Sequence, residues 1–291
     1  MSPTSDPETL RLALPKGRMY EDVIRVLGDA GIDVRVSERD YRPTISLDQV
    51  NAKILKPRNV ISMLQAGSRD IGFAGCDWVV ESQAELVELL DTGLNPVRLV
   101  AAAPTSILEQ GNLPRRPLVI ATEYTRLAEQ WIESRGIDAT VVTTYGATEV
   151  FPPEDADVII DNTATGATLR ANGLTILDEI MKSTTRLYAS RQCWAQPQLA
   201  QRAADLAMIL KSVLEARGRV MLDLNVAQDK LRQVLACLPS MKQPTISSLS
   251  EDGWYAIRAA VPRSVLARVI PQLKAAGACD IVTTRPEKIV P

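Results

Sequence analysis

The sequence predicts an α/β protein that ends in a separate ferredoxin-like module. Up to about residue 217, short runs of β-forming apolar residues alternate with segments whose apolar residues recur at helical spacing. This alternation indicates sheets covered by helices. Beyond that point the order becomes strand, helix, strand, strand, helix, strand, which is the split β-α-β arrangement. We therefore place a domain boundary near residue 217.

The part of the chain before residue 217 begins with an apolar run, LRLALP, that predicts a buried strand at residues 10–15. Met19, Val23, Val26 and Leu27 share one helical face, and Gly31 ends that helix. Further apolar runs predict strands at residues 52–55, 70–74, 97–102, 118–121, 140–144 and 158–161. Helical spacing predicts helices at 58–65, 125–135 and 165–171. We expect parallel strands, with ligands at their carboxyl ends.

A long amphipathic helix is predicted at residues 197–217, where Leu199, Ala203, Leu206 and Leu210 form one apolar stripe and Gly218 ends the segment. Beyond it, strands are predicted at residues 219–226, 245–249, 254–261 and 280–284, with helices at 228–238 and 263–276. These six segments are the elements of the ferredoxin-like module.

The charge balance excludes several classes of partner. The 33 Lys and Arg residues nearly equal the 35 Asp and Glu residues, so there is no overall positive field for nucleic acid or an anionic membrane. The N-terminal segment lacks the basic and apolar regions of an export signal, and no apolar run reaches the roughly 18 residues that span a bilayer. We expect a cytoplasmic protein that binds neither nucleic acid nor membrane.

The chain contains no histidine. This excludes the commonest general base, the commonest metal ligand and every Ser-His or Cys-His nucleophile pair. The P-loop and dinucleotide-binding glycine motifs are also missing from the sequence, so the kinase and dinucleotide interpretations lose their main support. The chemistry must rely on carboxylates, cations, hydroxyls and backbone amides.

The segment VIIDNTATGATLRANG, residues 158–173, is the most informative one. The hydroxyls of Thr163, Thr165 and Thr168, with backbone amides of the turn, suit one phosphate group. Gly166 permits a positive φ, and Asp161 can accept hydrogen bonds from sugar hydroxyls. An Asx-type turn with a threonine N-cap explains the same residues without a ligand.

Charged residues follow other predicted strands. Lys16 and Arg18 in LALPKGR, and Arg58 in KPRNV, suit a multiply charged phosphate, although a solvated loop explains them as well. Asp77 and Glu149 each follow a strand. Both are suited to support a Mg²⁺ ion that is held mainly by substrate phosphates. Alternatively, Asp77 is a helix N-cap and Glu149 is a solvated surface acid.

Taken in order, these segments resemble the ATP phosphoribosyltransferase family, in the long form of this first enzyme of histidine biosynthesis. The aspartate followed by T-x-T-G-x-T-L is the most specific motif, and the match covers nearly the whole chain. The matching segments are LALPKGR (12–18), AGSRDIGFAGCDWVVE (66–81), ATEY (121–124), GATEVFP (146–152), DNTATGATLRANGL (161–174), GRVMLDLNV (218–226), QPTISSL (243–249) and GACDIVTTRPEKIV (277–290).

The resemblance implies two α/β lobes like those of type II periplasmic binding proteins, with the active site in the cleft between them. Residues 1–94 with 180–217 would form lobe I, and residues 95–179 would form lobe II. Residues 218–291 would form the ACT-like, ferredoxin-like module that senses histidine.

In this family, N1 of ATP attacks the anomeric carbon of 5-phosphoribosyl 1-pyrophosphate and pyrophosphate leaves. The resemblance implies Mg²⁺ held mainly by substrate phosphates, with no residue assigned as acid or base. Asp161 would hold the ribose hydroxyls. The residues that would cradle the 5-phosphate are Thr163, Thr165, Gly166, Ala167 and Thr168. Those that match positions near pyrophosphate or ATP are Lys16, Arg18, Arg58, Asp77 and Glu149.

The resemblance further implies feedback inhibition by histidine, bound at Asp223 and Thr245. It also implies a self-sufficient homohexamer, or a dimer in the active state. The alternative to an enzyme is a catalytically silent two-lobed binding or regulatory relative. The retained cations and threonine loop favour the enzyme.

Overall fold

The computed structural model describes residues 9–36, 41–241 and 243–290. These residues form two compact units. The first comprises the chain up to Arg25 together with Ile32–Ala207, and the second comprises Val26–Gly31 together with the chain from Met208 onward.

The first unit alternates strands with helices, as the sequence predicts. Its elements, with the two helices that continue into the second unit, are β1 (Leu10–Pro15), α1 (Arg18–Asp29), β2 (Val34–Arg35), β3 (Thr44–Ile45), β4 (Val50–Leu55), α2 (Pro57–Gln65), β5 (Ile71–Gly75), α3 (Cys76–Glu81), β6 (Leu86–Pro104), β7 (Leu118–Thr122), α4 (Thr125–Arg135), β8 (Ala139–Thr143), β9 (Val158–Thr163), α5 (Ala167–Ala171), β10 (Leu174–Ser190), α6 (Arg191–Trp194) and α7 (Pro197–Arg217).

Eight of these strands form one sheet in the order β4-β1-β5-β10-β6-β9-β7-β8. At one end, β4, β1 and β5 are parallel, and at the other end β9, β7 and β8 are parallel. The expectation of a wholly parallel sheet is wrong, because β6 and β10 run antiparallel to each other and to their outer neighbours. The two parallel groups, joined by this pair, are the two halves of the α/β core that the resemblance implies.

The β6–β10 pair connects the halves because both strands are long. They pair from Leu174 opposite Pro104 to Ser190 opposite Leu86, with several register shifts between. One end of β10 pairs with β5, and the far part of β6 pairs with β9. The predicted lobe boundaries near residues 95 and 180 fall inside these two strands and stay predictions.

Each half has its own apolar core. Leu99, Ile120, Tyr124, Trp131 and Ile160 belong to a buried cluster in the β7–β8–β9 half. The other half is built on buried residues of β1 and β5 and on the apolar face of α2, with Val60, Ile61 and Leu64 buried. Burial of these side chains fixes the strand ends, where the charged residues lie.

The predicted bounds of α7 are confirmed at both ends, from Pro197 to Arg217. Its residues Leu199, Ala203, Leu206 and Leu210 are all buried, as the stripe predicts. Among the described residues, no helix combines the length and the apolar character needed to cross a bilayer.

The second unit has the ferredoxin-like order. It contains β11 (Arg219–Ala227), α8 (Leu231–Cys237), β12 (Thr245–Ser248), β13 (Trp254–Pro262), α9 (Leu266–Ala275) and β14 (Cys279–Thr284). These four strands form an antiparallel sheet in the order β12-β13-β11-β14. The predicted ferredoxin-like module is therefore confirmed, and the predicted boundary at residue 217 coincides with the end of α7 and stays a prediction.

One face of this sheet carries the core of the module. Buried and partly exposed residues alternate strictly along β11, so that Leu222 and Leu224 pack against Val269 and Leu273 of α9. Met221 points to the opposite face, because successive residues of a strand alternate.

We expect Leu222→Ala to lower the free energy of unfolding by about 2–5 kcal/mol, because it removes a fully buried side chain. Met221→Ala, on the other face of the same strand, should cost about 1 kcal/mol or less. Chemical denaturation of both variants measures the difference. Equal losses would contradict this assignment of the two faces.

Candidate active site

A cavity of about 250 Å³ lies at the carboxyl ends of β1 and β5 in the first unit. Lys16, Arg18 and Asp77 all line it, so the structure brings together three of the charged residues singled out from the sequence. The remaining lining residues include several hydrogen-bonding groups from β6, β9 and β10, namely Asn95, Asn162, Ser183, Thr184 and Thr185.

The two cations flank a tight connection between β1 and α1. Gly17, between them, has φ +86°, a left-handed conformation that glycine adopts without strain. The Nζ of Lys16 donates to the hydroxyl of Tyr41 at 3.0 Å, and this hydrogen bond, with the lysine charge, lowers the pKa of Tyr41. Arg18 forms no salt bridge with any residue in the described part of the chain. Its guanidinium is therefore available to an anionic ligand.

Asp77 is buried and fully engaged within the protein. Its carboxylate accepts hydrogen bonds from Ser183 Oγ at 2.7 Å and from the Tyr124 hydroxyl at 2.6 Å. Its amide donates to the same serine oxygen at 3.0 Å. Burial, followed by the Asp77 charge, raises the pKa of Tyr124, so this hydroxyl stays protonated and donates. The N-cap of α3 is Gly75, so the interpretation of Asp77 as an N-cap is wrong.

An aromatic stack adjoins this carboxylate. The rings of Trp78 and Tyr124 stack with centroids 4.2 Å apart. The guanidinium of Arg58 lies 3.8 Å from the centre of the Trp78 ring and its Nη2 lies 2.6 Å from a carboxylate oxygen of Glu123. Arg58 is therefore held by a cation–π contact and a salt bridge rather than free in a loop.

The end of α3 also caps the helix that follows Tyr124. The carboxylate of Glu81 accepts the backbone amides of Arg126 at 2.9 Å and Leu127 at 3.0 Å. The first amides of a helix have no partner inside it, so this carboxylate stabilises the start of α4. The elements α3 and α4 are thereby joined at Asp77, Trp78 and Glu81.

The sequence predicts Asp161 at the tip of its strand. In the structure it lies within β9, two residues before the strand ends at Thr163. Burial is the main reason that the pKa of Asp161 is raised to about 6, and the carboxylates of Glu123 and Glu149 act in the same direction. Hydrogen bonds from the Asn162 amide, at 2.7 Å, and from the Thr148 side chain oppose the rise. Glu149 thus belongs to the electrostatic surroundings of Asp161.

The loop after β9 is held by its own threonines. Thr163 Oγ1 accepts the amide of Gly166 at 2.9 Å, and Thr165 Oγ1 accepts the amide of Ala167 at 3.3 Å. Gly166 has φ +73°, and a Cβ there would lie 3.0 Å from a guanidinium nitrogen of Arg170. Both threonine hydroxyls keep a proton to donate. As the alternative without a ligand expects, side-chain oxygens accept the loop's own amides, but they are threonine hydroxyls, and the N-cap is Gly166 and not a threonine. The predicted helix begins later, at Ala167.

In the second unit, Asp223 and Thr245 lie in one row of the sheet. Both pair in register with Arg258 of β13, from opposite sides. The Nε of Arg258 donates to Asp223 Oδ1 at 2.6 Å. The row therefore presents a carboxylate, a guanidinium and a hydroxyl on the face that lacks the module's helices.

The sequence interpretation missed Tyr124, Trp78, Asn162, Glu123 and Ser183 as parts of this network. Tyr124 and Glu123 stand in the ATEY segment and Trp78 in the GCDWVVE segment. Both segments match the family, so these three residues could have been singled out from the sequence. Ser183 was not, because β10 itself was not predicted.

Comparison with known proteins gives a consistent result. A family profile described as ATP phosphoribosyltransferase matches residues 56–212, and one described as HisG, C-terminal domain, matches residues 216–288. The ATP phosphoribosyltransferase of Chlorobium chlorochromatii is 33% identical over 292 residues, covering 99% of each chain. That of Pelotomaculum thermopropionicum is 36% identical over 287 residues, covering 97% of this chain and 99% of the relative.

A similar solved structure is the ATP phosphoribosyl transferase (HisG:HisZ) complex from Thermotoga maritima. It is 28% identical with a TM-score of 0.63. The match covers 99% of that chain but 71% of this one. The remainder of this chain is therefore additional to that protein.

Tyr124→Phe should lower the free energy of unfolding by about 1–3 kcal/mol, because it removes a donor from a buried carboxylate and an acceptor from Asn162. Tyr41→Phe is the matched control. That tyrosine is 54% exposed, so the loss should stay within about 0.5 kcal/mol. Urea denaturation compares the two, and a Tyr124→Phe protein as stable as the control would show that the network is not stabilising.

Proposed function

The chain belongs to the ATP phosphoribosyltransferase family, and from this premise we propose which of its residues bind the substrates. The enzymes of this family are pentosyltransferases of histidine biosynthesis that join N1 of ATP to the anomeric carbon of 5-phosphoribosyl 1-pyrophosphate. The proposal is carried by one observation: Lys16 and Arg18 line a cavity that also receives Asn162, the residue next to Asp161. The phosphoribosyl donor lies between these cations and the loop after β9.

The reaction forms one bond and breaks another. The lone pair of N1 forms the new bond to the anomeric carbon, and the electrons of the broken carbon–oxygen bond leave on pyrophosphate. N1 of adenine is unprotonated near neutral pH, so the reaction needs no strong base. Such displacements are accelerated by positioning the reactants and by stabilising the charge that develops on the leaving group.

Lys16 and Arg18 stabilise the departing pyrophosphate. In the described chain, neither the Arg18 nor the Lys16 side chain has a carboxylate partner, and the Nζ of Lys16 contacts the hydroxyl and the ring of Tyr41. Arg58 is the third cation, and contact with a phosphate requires it to release Glu123. Asp77 shapes the cavity wall and orients Asn162 through Tyr124.

The sugar and its 5-phosphate bind at Asp161 and the threonine loop. Asp161 accepts the ribose hydroxyls. Burial and the neighbouring carboxylates raise the pKa of this carboxyl more than its donors, the Asn162 amide and the Thr148 side chain, lower it. The hydroxyl protons of Thr163 and Thr165 remain available to phosphate oxygens, since these oxygens use only lone pairs within the loop. Gly166, Ala167 and Thr168 complete the cradle.

Mg²⁺ would be held mainly by the substrate phosphates. Within the described residues, no group of three or more His, Cys, Asp or Glu is placed to hold a metal ion. The charge of Glu149 acts on Asp161, and one or two such carboxylates suffice for an ion bound mainly by phosphate oxygens. Asp161 and Glu149 would hold the ion, which would supply charge neutralisation on the pyrophosphate.

Histidine binds at the row Asp223, Arg258 and Thr245 and inhibits the enzyme. A carboxylate and a guanidinium side by side match the ammonium and carboxylate groups of a free amino acid. The same sheet face exposes Val282, which is 53% exposed. This open face supports self-association, and we propose a homohexamer located in the cytoplasm.

Asp161→Asn should reduce turnover about 100-fold or more, because it removes the negative charge and replaces one of the two oxygens that accept from the ribose hydroxyls by an amide donor. The free variant should nevertheless be more stable than wild type at pH 8, by about 2–3 kcal/mol. A carboxyl whose pKa rises from 3.8 to about 6 on folding destabilises the fold as pH rises through that window. The difference should disappear as pH falls toward 4.

Turnover with ATP, phosphoribosyl pyrophosphate and Mg²⁺, and urea denaturation across this pH range, test both effects. Asp157→Asn is the control of opposite sign, because Arg116 lowers the pKa of Asp157 and the variant should lose stability at pH 8. Its turnover should match wild type. Wild-type turnover in Asp161→Asn would overturn the site assignment.

Asp223→Asn and Thr245→Val should each raise the histidine concentration for half inhibition about tenfold, because each removes one polar contact to the amino acid. Ser247→Ala, two residues along β12, should be inhibited like wild type. Inhibition curves normalised to each variant's own uninhibited rate provide the measurement. Unchanged curves for both variants would place the sensor elsewhere.

A further inference from the structure

A second cavity, of about 540 Å³, lies within the second unit, and nothing in the reaction uses it. Its walls come from the end of α1, the end of α7, the start of β11, the residue after β13 and the segment after β14. Five cationic residues line it, namely Arg217, Arg219, Arg263, Arg285 and Lys288.

Two of these arginines are neutralised within the protein. Arg217 donates to Asp29 at 2.7 Å, and Arg219 lies 3.4 Å from Glu215. The side chains of Arg263, Arg285 and Lys288 have no carboxylate partner in the described chain. These three cations come from separate segments, so their convergence is a property of the fold and not of one basic run.

The protein's own negative charge does not balance this set. Asp29 and Glu287 are the acidic residues in the lining. The ends of α1 and α7 each add the equivalent of about half a negative charge. With Glu215 also counted against Arg219, an excess of about one positive charge remains in the cavity.

Backbone contacts hold these cations in place. The amide of Arg263 donates to the carbonyl of Gly218 at 2.9 Å, and the amide of Ile289 donates to the carbonyl of Ser212 at 2.9 Å. The second contact fixes the segment that carries Arg285 and Lys288 beside α7. A site assembled before binding loses less entropy when a ligand enters.

We propose that this cavity binds an organic phosphate, with its phosphate on Arg263, Arg285 and Lys288. A phosphate monoester carries about one to two negative charges at neutral pH, enough to offset this excess, and guanidinium groups bind phosphate oxygens in a bidentate manner. The volume lies in the range of small-ligand pockets and exceeds what a bare phosphate fills. Val213, Ala216 and Pro286 provide an apolar wall for the organic part.

Hydrogen–deuterium exchange of the full-length enzyme tests this, because it reports where a ligand binds. Ribose 5-phosphate at millimolar concentration should protect peptides covering residues 208–217 and 285–290, and ribose without phosphate should not. In Arg263→Ala/Arg285→Ala, the concentration for half protection of these peptides should rise about tenfold or more for each guanidinium removed. Arg268→Ala removes an exposed arginine of α9 that does not line the cavity, and should behave like wild type.

Absence of protection in wild type, or equal protection in the double variant, would overturn the proposal. A change of sedimentation coefficient in the double variant with protection retained would also overturn it and would assign the cavity to contact between copies. Turnover of the double variant should equal that of wild type, since neither arginine contacts the proposed substrate site. Failure of the proposed function would instead appear as absent turnover in both proteins.

Discussion

The buried carboxylate of Asp77 is the constraint on which the rest of the candidate site depends. A carboxylate removed from water must be hydrogen-bonded, and its donors here, Tyr124 and Ser183, lie 47 and 106 residues further along the chain. Satisfying this group therefore draws α3, the start of α4 and the middle of β10 to one point. The cavity with Lys16 and Arg18 lies beside that point.

The absence of histidine agrees with this design. A reaction whose nucleophile is already unprotonated and whose leaving group is a strong anion requires charge placement and not proton transfer. In the proposed site, cations at strand ends, hydroxyls in a tight loop and the half-buried Asp161 would provide that placement.

The sequence predicted most of the short strands and the helices because their apolar periodicity is local. The bounds of β1 and α7 were predicted to the residue, and the module after residue 217 follows the predicted order. The long strand β10 could not be predicted, because Asp178, Glu179 and Lys182 interrupt any alternation and its structure depends on pairing with β6 and β5. Since Ser183 lies on that strand, the partner of Asp77 could not be predicted either.

Asp77 and Asp161 differ in their hydrogen-bond donors and in the charges beside them. Asp77 is buried and accepts hydrogen bonds from two side chains, whereas Asp161 is half-buried, accepts from the Asn162 amide and the Thr148 side chain, and lies near two carboxylates. An acid that is partly removed from water beside like charges carries an energetic cost in the free protein. Sugar hydroxyls would add donors to those from Asn162 and Thr148, so the binding of substrate would relieve part of that cost. This difference between the surroundings of the two acids supports the proposed role of Asp161 as the group that contacts the substrate.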